Sequence, residues 1–313
     1  MGMHVQETIA SPLVWHPLSA EEAWRYKQTY GTNSVYVAGS TLLRTQWEAG
    51  IAAMPPYFID LSRIRGLNEM RIGEDGLQIG SQTNLQTCCS NMLVQRHFPM
   101  MAEALRSIAA PAIRNLATIG GNVASMVGDS IAALLAYDAV LVWYNGQGEQ
   151  EEELAQWLLT ARQTGNGNEK LLLSIKLPFK DAHSEKPIGA EEKREKIWSF
   201  QAYHKIGRRE AFTPSVVTAA VSGVLWDTGR VQELRIAVGG GQTIARRLEE
   251  IEQKAIGKTV DTLLLRDMYE AIIEHYEPRE DVFASAAYRK RTAANLIVTE
   301  LWQACNVLTE RGG

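Results

Sequence analysis

Ala117-Thr118-Ile119-Gly120-Gly121-Asn122, followed by Gly128-Asp129, is the stretch whose reading decides the fold. It lies between two apolar-periodic segments. Paired glycines let a backbone turn sharply and let N–H groups approach a bulky anion closely. Thr118 and Asn122 add short polar groups of the kind that bond phosphate oxygens, and Asp129 offers an acceptor for sugar hydroxyls. An ordinary Gly-Gly turn has the same composition. A second stretch separates the two readings: Val37-Ala38-Gly39-Ser40-Thr41-Leu42-Leu43. There an apolar, β-branched strand delivers a glycine and two small hydroxyl residues, the pattern of another anion cradle. Taken alone, it fits a plain strand-to-helix turn equally well.

The rest of the composition narrows the function classes. A chain of 313 residues can bury a large core and suggests about two domains. With 45% hydrophobic and 22% charged residues it reads as globular rather than disordered. A net charge of -4 leaves no basic footprint, which argues against nucleic acid as a partner. No apolar run is long enough to span a bilayer. Residues 1–7 lack a basic-then-apolar signal pattern, so the cytoplasm is the expected compartment. Cys88, Cys89 and Cys305 are too few for a four-cysteine iron–sulfur cluster and read as free thiols. The six histidines form no HExxH motif and no i, i+4 pair, so no metal site is expected. Gly-x-Gly-x-x-Gly and the P-loop are both absent, which argues against a Rossmann or Walker site.

Taken in order, residues 12–30 read as a strand and a helix, with Ser19 and Glu22 forming a capping box. Strands follow at 34–38 and 58–61, then a hairpin across Gly73-Glu74-Asp75-Gly76. Thr83 is the expected cap of a helix running to about Gln95, a second helix covers 99–109, and Pro111 breaks the pattern. Asp129 or Ser130 caps a helix to Tyr137, followed by a strand at 139–144, a charged turn at 147–153, a helix at 154–159 and a strand at 170–177. Residues 182–196 carry many charges and few large apolar groups and read as a linker. Beyond them, three strands (197–206, 215–226, 231–238) precede three helices (245–256, 261–277, 284–310), the outline of an α+β unit with a small antiparallel sheet.

Together the two glycine stretches resemble the FAD-binding medium subunits of the molybdenum hydroxylases, the carbon monoxide dehydrogenase and xanthine dehydrogenase family. Further matches keep the family's order: Ile113-Arg114-Asn115; Gly128-Asp129 leading into Ala132–Ala139; Ser174-Ile175-Lys176-Leu177-Pro178; Tyr203-His204-Lys205-Ile206-Gly207-Arg208-Arg209; and Ile236–Gly240. The resemblance covers nearly the whole chain. It implies an α+β protein with a two-lobed FAD-binding domain of the vanillyl-alcohol-oxidase (PCMH) type over residues 1–181, with lobes of about 1–60 and 61–181. A C-terminal domain of the carbon monoxide dehydrogenase flavoprotein type would then cover 197–313.

The resemblance also implies site residues. Val37, Ala38, Gly39, Ser40, Thr41, Leu42 and Leu43, with Asn115, Thr118, Ile119, Gly120, Gly121 and Asn122, would hold the cofactor, its pyrophosphate and ribityl chain above all. Asp129 would meet the adenosine ribose, and Ile108 and Leu172 would be apolar walls. Tyr203 would lie near the isoalloxazine ring with His204 or Lys205 beside it; an aromatic in a sheet is equally at home in the core. Lys205 and Arg208 are candidate cations for the reduced flavin. The sequence departs from the family at Ser40, where a second glycine is common, and at Leu42, where a polar residue is common. It also departs in the short segment 123–128, and in 210–213, which lacks the usual acidic residue.

The implied function is electron transfer through FAD, with no catalytic acid, base or nucleophile on this chain. Electrons would come from an iron–sulfur small subunit served by a molybdopterin large subunit, and pass to NAD+ or another acceptor. Two alternatives stay open: a self-sufficient FAD oxidoreductase of the same fold, and a scaffold subunit without flavin.

Overall fold

The computed structural model describes residues 11–164, 170–179, 197–209 and 214–312. The run read as a linker, 182–196, and residues 210–213 lie outside the described residues. Three sheets organise the chain, each formed by one continuous stretch.

The first stretch runs β1 (Leu13–Trp15), α1 (Ala20–Tyr30), β2 (Ser34–Val37), α2 (Thr41–Glu48) and β3 (Tyr57–Asp60). The strands form a parallel sheet in the order β1-β3-β2. At the start of α1, Ser19 Oγ accepts the Glu22 N–H at 3.1 Å, as expected of a capping box. The return arm reaches one residue further back, because the Glu22 carboxylate accepts from Leu18 N–H at 2.8 Å. Ala23 and Ile59, both fully buried, close α1 onto the sheet.

The second stretch begins with β4 (Met70–Ile72) and β5 (Gly76–Gly80). Six short helices follow: α3 (Leu85–Ser90), α4 (Met92–His97), α5 (Pro99–Arg106), α6 (Pro111–Arg114), α7 (Ile119–Ala124) and α8 (Ile131–Ala136). It ends with β6 (Val140–Tyr144), β7 (Glu149–Glu153), α9 (Leu154–Thr164) and β8 (Leu171–Pro178). Its antiparallel sheet has the order β4-β5-β8-β6-β7.

Four expectations are corrected here. The helix expected to start at Thr83 is capped by Asn84, whose Oδ1 accepts the Thr87 N–H at 2.7 Å. It breaks at Asn91, which caps α4 with the same chemistry. Pro111 opens α6 instead of only ending α5, since proline fits the first turn of a helix. The charged segment 147–153, expected as a turn, contains β7, the edge strand paired with β6.

The third stretch holds β9 (Ile197–Gly207), β10 (Ser215–Trp226), β11 (Val231–Gly240) and β12 (Thr243–Arg247). After them come α10 (Glu249–Ala255), α11 (Thr262–His275) and α12 (Ala286–Gly312). The sheet is antiparallel, β12-β11-β10-β9, with one strand more than expected, because 243–247 is a strand where a helix was predicted to begin. One face packs on Leu264, Met268, Ile297 and Leu301 of α11 and α12. The other joins the second stretch's core through Tyr203, Ala220, Ala237 and Ala245, where β10, β11 and β12 meet the fully buried α8 and β9 meets α5. Alanines on both sides let the sheet and α8 approach closely. No helix among the described residues is long and apolar enough to cross a membrane.

Candidate functional site

The first glycine loop links β2 to α2 and leaves a row of backbone donors without acceptors among the described residues. A Cβ on Gly39 would lie 1.8 Å from Leu116 O, so only glycine lets this loop touch the segment before the second one. Ser40 takes φ 51° and ψ 15°, the left-handed region that favours glycine. Its Oγ donates to Ala38 O at 3.3 Å and gives α2 no cap. The first amide of α2 with an intrahelical acceptor is Arg44, at 2.9 Å from Ser40 O. Helix geometry leaves Thr41, Leu42 and Leu43 N–H without one, and all three residues line a cavity of about 800 Å³. An uncapped helix start presents donors and the positive end of the helix dipole to an anion.

The second loop is built differently. Residues 119–124 are α7, so Gly120 and Gly121 sit in a helical first turn and make no sharp turn, a correction to the sequence reading. A Cβ on Gly120 would lie 2.6 Å from Ser81 O; the glycine serves close packing against the end of β5. The amides of residues 119–122 all have partners: Ile119 N–H on Thr83 O and Gly120 N–H on Ser81 O, both 2.9 Å, and Asn122 N–H on Thr118 O at 3.0 Å. Gly121 N–H donates to Thr118 Oγ1 at 3.1 Å, so Thr118 caps α7. Asn122 Oδ1 accepts from Ser130 Oγ at 2.6 Å.

Between the loops the cavity is walled by Ile108, Leu172 and Trp143, with Tyr36 from β2, Ser215 from β10 and Gln242 from the turn between β11 and β12. The Tyr36 hydroxyl is buried and has no hydrogen-bond partner among the described residues. Burial pushes this phenol well above its ordinary range, so it is a neutral hydroxyl. Asp129, at the end of the second loop, lines the cavity despite the short segment before it. Its Oδ2 is 2.7 Å from Lys205 Nζ, and its Oδ1 accepts from Ser215 Oγ at 2.6 Å. Its carbonyl accepts from Tyr203 OH at 2.8 Å.

Comparison with known proteins agrees with this geometry. The family model described as the FAD binding domain in molybdopterin dehydrogenase matches residues 6–180. The CO dehydrogenase flavoprotein C-terminal domain matches 201–304. The chain belongs to the FAD-binding medium subunits of the molybdenum hydroxylase family. The carbon monoxide dehydrogenase medium chain of Hydrogenophaga pseudoflava is 26% identical over 296 residues, 92% of this chain and 96% of that one. The xanthine dehydrogenase FAD-binding subunit of Escherichia coli O157:H7 is 27% identical over 236 residues, 74% and 76% of the two chains. Among solved structures, carbon monoxide dehydrogenase from Hydrogenophaga pseudoflava lacking the Mo-pyranopterin moiety superposes with a TM-score of 0.81 at 25% identity. That match covers 94% of this chain and 98% of that one.

Measured against this FAD-binding fold, most expected residues converge. Val37, Ala38, Gly39, Ser40, Thr41, Leu42, Leu43, Ile108, Thr118, Gly120, Gly121, Asn122, Asp129, Leu172 and Lys205 all line the cavity. Four do not. Asn115 is exposed outside it. Ile119 is fully buried in the core below. Tyr203 is a core residue 8% exposed, its phenol raised well above the usual range by burial and by Asp129. His204 points to the opposite face of β9, as strand alternation requires, and meets Glu300 Oε1 at 2.7 Å. Arg208 is also not a cavity cation; its guanidinium stacks on Phe283, 4.1 Å from the ring centre. Tyr36, Trp143, Ser215 and Gln242 were missed. Tyr36, one position before the Val37–Leu43 run, was the one nearest to being found.

The residues present fit FAD. The first loop offers unpaired amides where a pyrophosphate needs donors. Two glycines remove side chains where the loops crowd their neighbours. An orphaned hydroxyl on Tyr36 and apolar walls at Ile108 and Leu172 suit a large, partly aromatic ligand.

Proposed function

We propose that this chain is the electron-transfer subunit of a multi-subunit molybdenum hydroxylase. It would take electrons from an iron–sulfur small subunit, reduced in turn by a molybdopterin large subunit, and deliver them to NAD+ or another acceptor. The observation that carries this reading is the uncapped start of α2, with Thr41, Leu42 and Leu43 facing the cavity between the two glycine loops. Support for partner subunits comes from the relatives, whose names describe medium chains and subunits. We further read residues up to 181 as the FAD-binding part and 197–313 as a C-terminal part. That division is supported by three sheets drawn from three successive stretches.

Bound FAD would supply the redox chemistry. The chain's own groups hold and shelter it. Thr41, Leu42 and Leu43 N–H donate to its phosphates; Gly39 and Gly120 keep the cleft walls close without side chains; Ile108 and Leu172 exclude water. Asp129 retains lone pairs for sugar hydroxyls, since two of its roughly four acceptor positions are taken. No group of three or more His, Cys, Asp or Glu is placed to hold a metal among the described residues.

An absorption spectrum of the purified chain, with heat release and identification of the chromophore, tests the cofactor. Non-covalent FAD in stoichiometric amount, acceptor-side diaphorase activity and no turnover of an organic substrate are expected. Substrate turnover by the chain alone would contradict the electron-transfer reading. Failure to bind FAD from excess would contradict the cofactor assignment.

A further inference from the structure

We propose that Lys205, anchored on Ser107 O, is a positioning residue of the cofactor cleft that acts by holding Asp129 in place from the C-terminal sheet. The proposal rests on the FAD reading above and assigns Lys205 a task other than facing the flavin.

Lys205 lies on β9, and its side chain is 4% exposed although it borders the cavity. Its ammonium has three protons. One donates to Ser107 O at 2.9 Å and another meets Asp129 Oδ2 at 2.7 Å. Ser107 immediately precedes Ile108, an apolar wall of the cavity, and Asp129 closes the second glycine loop. One buried cation therefore spans two walls that are 22 residues apart in sequence and belong to the second stretch.

Two neighbours in the third sheet fasten the same aspartate. Tyr203, two residues earlier on the same face of β9, donates to Asp129 O, and Ser215 on β10 donates to Asp129 Oδ1. Three bonds from the C-terminal sheet thus end on Asp129. The turn that leads into it contains Met126 at φ 61°, a conformation that side-chain-bearing residues disfavour. Such a turn holds its shape only when the surrounding structure fixes it. Because Asp129 balances Lys205 within 2.7 Å, the ammonium is not a free charge awaiting an anionic ligand. The arrangement makes the C-terminal sheet part of the cofactor site.

The test is a thermodynamic cycle on the full chain, stripped of flavin and titrated with FAD. Dissociation constants are measured for wild type, Lys205→Met, Asp129→Asn, the double variant and Tyr203→Phe. Loss of a hydrogen-bonded charge predicts that Lys205→Met weakens binding about 10- to 100-fold. If Lys205 acts through Asp129, the same substitution in the Asp129→Asn background changes affinity less than about threefold. Tyr203 does not line the cavity, so the roughly three- to tenfold weakening expected of Tyr203→Phe has to travel through Asp129.

Equal losses with and without Asp129 would overturn the proposal, because Lys205 would then act other than through Asp129, and an unchanged affinity in Lys205→Met would overturn it outright. If Lys205→Met does not fold, the charge-balanced double variant and Tyr203→Phe decide: an unchanged Tyr203→Phe, with a double variant far weaker than Asp129→Asn, overturns it. Wild-type protein that binds no FAD is seen before any variant is made. It overturns the flavin reading itself and this proposal with it.

Discussion

At the first glycine loop three residues, Thr41 to Leu43, line the cavity, and their amides have no intrahelical acceptor. At the second, Ile119, Gly120, Gly121 and Asn122 all have acceptors between 2.9 and 3.1 Å. The two loops look alike in sequence, with small residues, glycine and a hydroxyl next to a helix. What separates them is capping. Ser40 bends into the left-handed region and turns its hydroxyl back to Ala38, so α2 starts bare. Thr118 caps α7 by itself, and the carbonyls of Ser81 and Thr83 take two further amides. A glycine-rich segment is therefore an anion cradle only if nothing nearby has already taken its donors. The first loop supplies donors, and the second supplies shape.

Substitutions can break or sharpen this contrast. The largest effect is expected at Gly39. A Cβ there meets backbone at 1.8 Å, so Gly39→Ala must displace either loop. We expect a stability loss of about 3 kcal/mol, the upper end of ordinary overpacking, and no FAD retained through gel filtration. A variant with full flavin content would break the claim that the loops must touch.

Gly120→Ala comes next. Its Cβ would crowd Ser81 O at 2.6 Å, with an expected cost of about 1–3 kcal/mol in urea unfolding. Flavin affinity should fall about tenfold, by distortion alone, a factor worth about 1.4 kcal/mol. A loss of affinity larger than at Gly39 would reverse the roles assigned to the two loops.

Thr118→Ala removes a cap worth about 1 kcal/mol, read as a lower unfolding midpoint. Flavin affinity should change less than about threefold, because the Thr118 hydroxyl already serves Gly121. Ser40→Gly has the smallest effect and the opposite sign. Relief of the left-handed backbone should stabilise the chain by about 1 kcal/mol, with FAD binding preserved because the Ser40 side chain caps nothing.

Much of the architecture was legible in the sequence because hydrophobic period, caps and turns agreed. The order β1, α1, β2 and the hairpin at residues 73–76 followed from such signals. The order of weak motifs carried the family. β7 was not legible, since Glu149-Gln150-Glu151-Glu152-Glu153 has no apolar alternation. Its pairing is set by β6 beside it and by ion pairs from Lys170 and Lys176. β12 is short and runs directly into helix formers, so its last residues read as the helix start. At the site, sequence identified which residues gather but not which way they point. Tyr203 and His204 were placed by motif, whereas strand alternation and the pull of Asp129 and Glu300 decide their directions. Nothing in the residues at 118–122 announced that the Ile119 and Gly120 donors were already engaged, because their acceptors come from Thr83 and Ser81, nearly forty residues earlier.

The central claim is that the first loop, rather than residues 119–122 of the second, offers free backbone donors to the cofactor. Hydrogen–deuterium exchange of the flavin-free chain, read at individual amides with and without saturating FAD, tests it most directly. The account predicts that FAD slows exchange sharply at Thr41, Leu42 and Leu43. It predicts little change at Ile119, Gly120, Gly121 and Asn122, which are bonded before FAD arrives. Protection gained mainly at 119–122, with 41–43 unaffected, would contradict it.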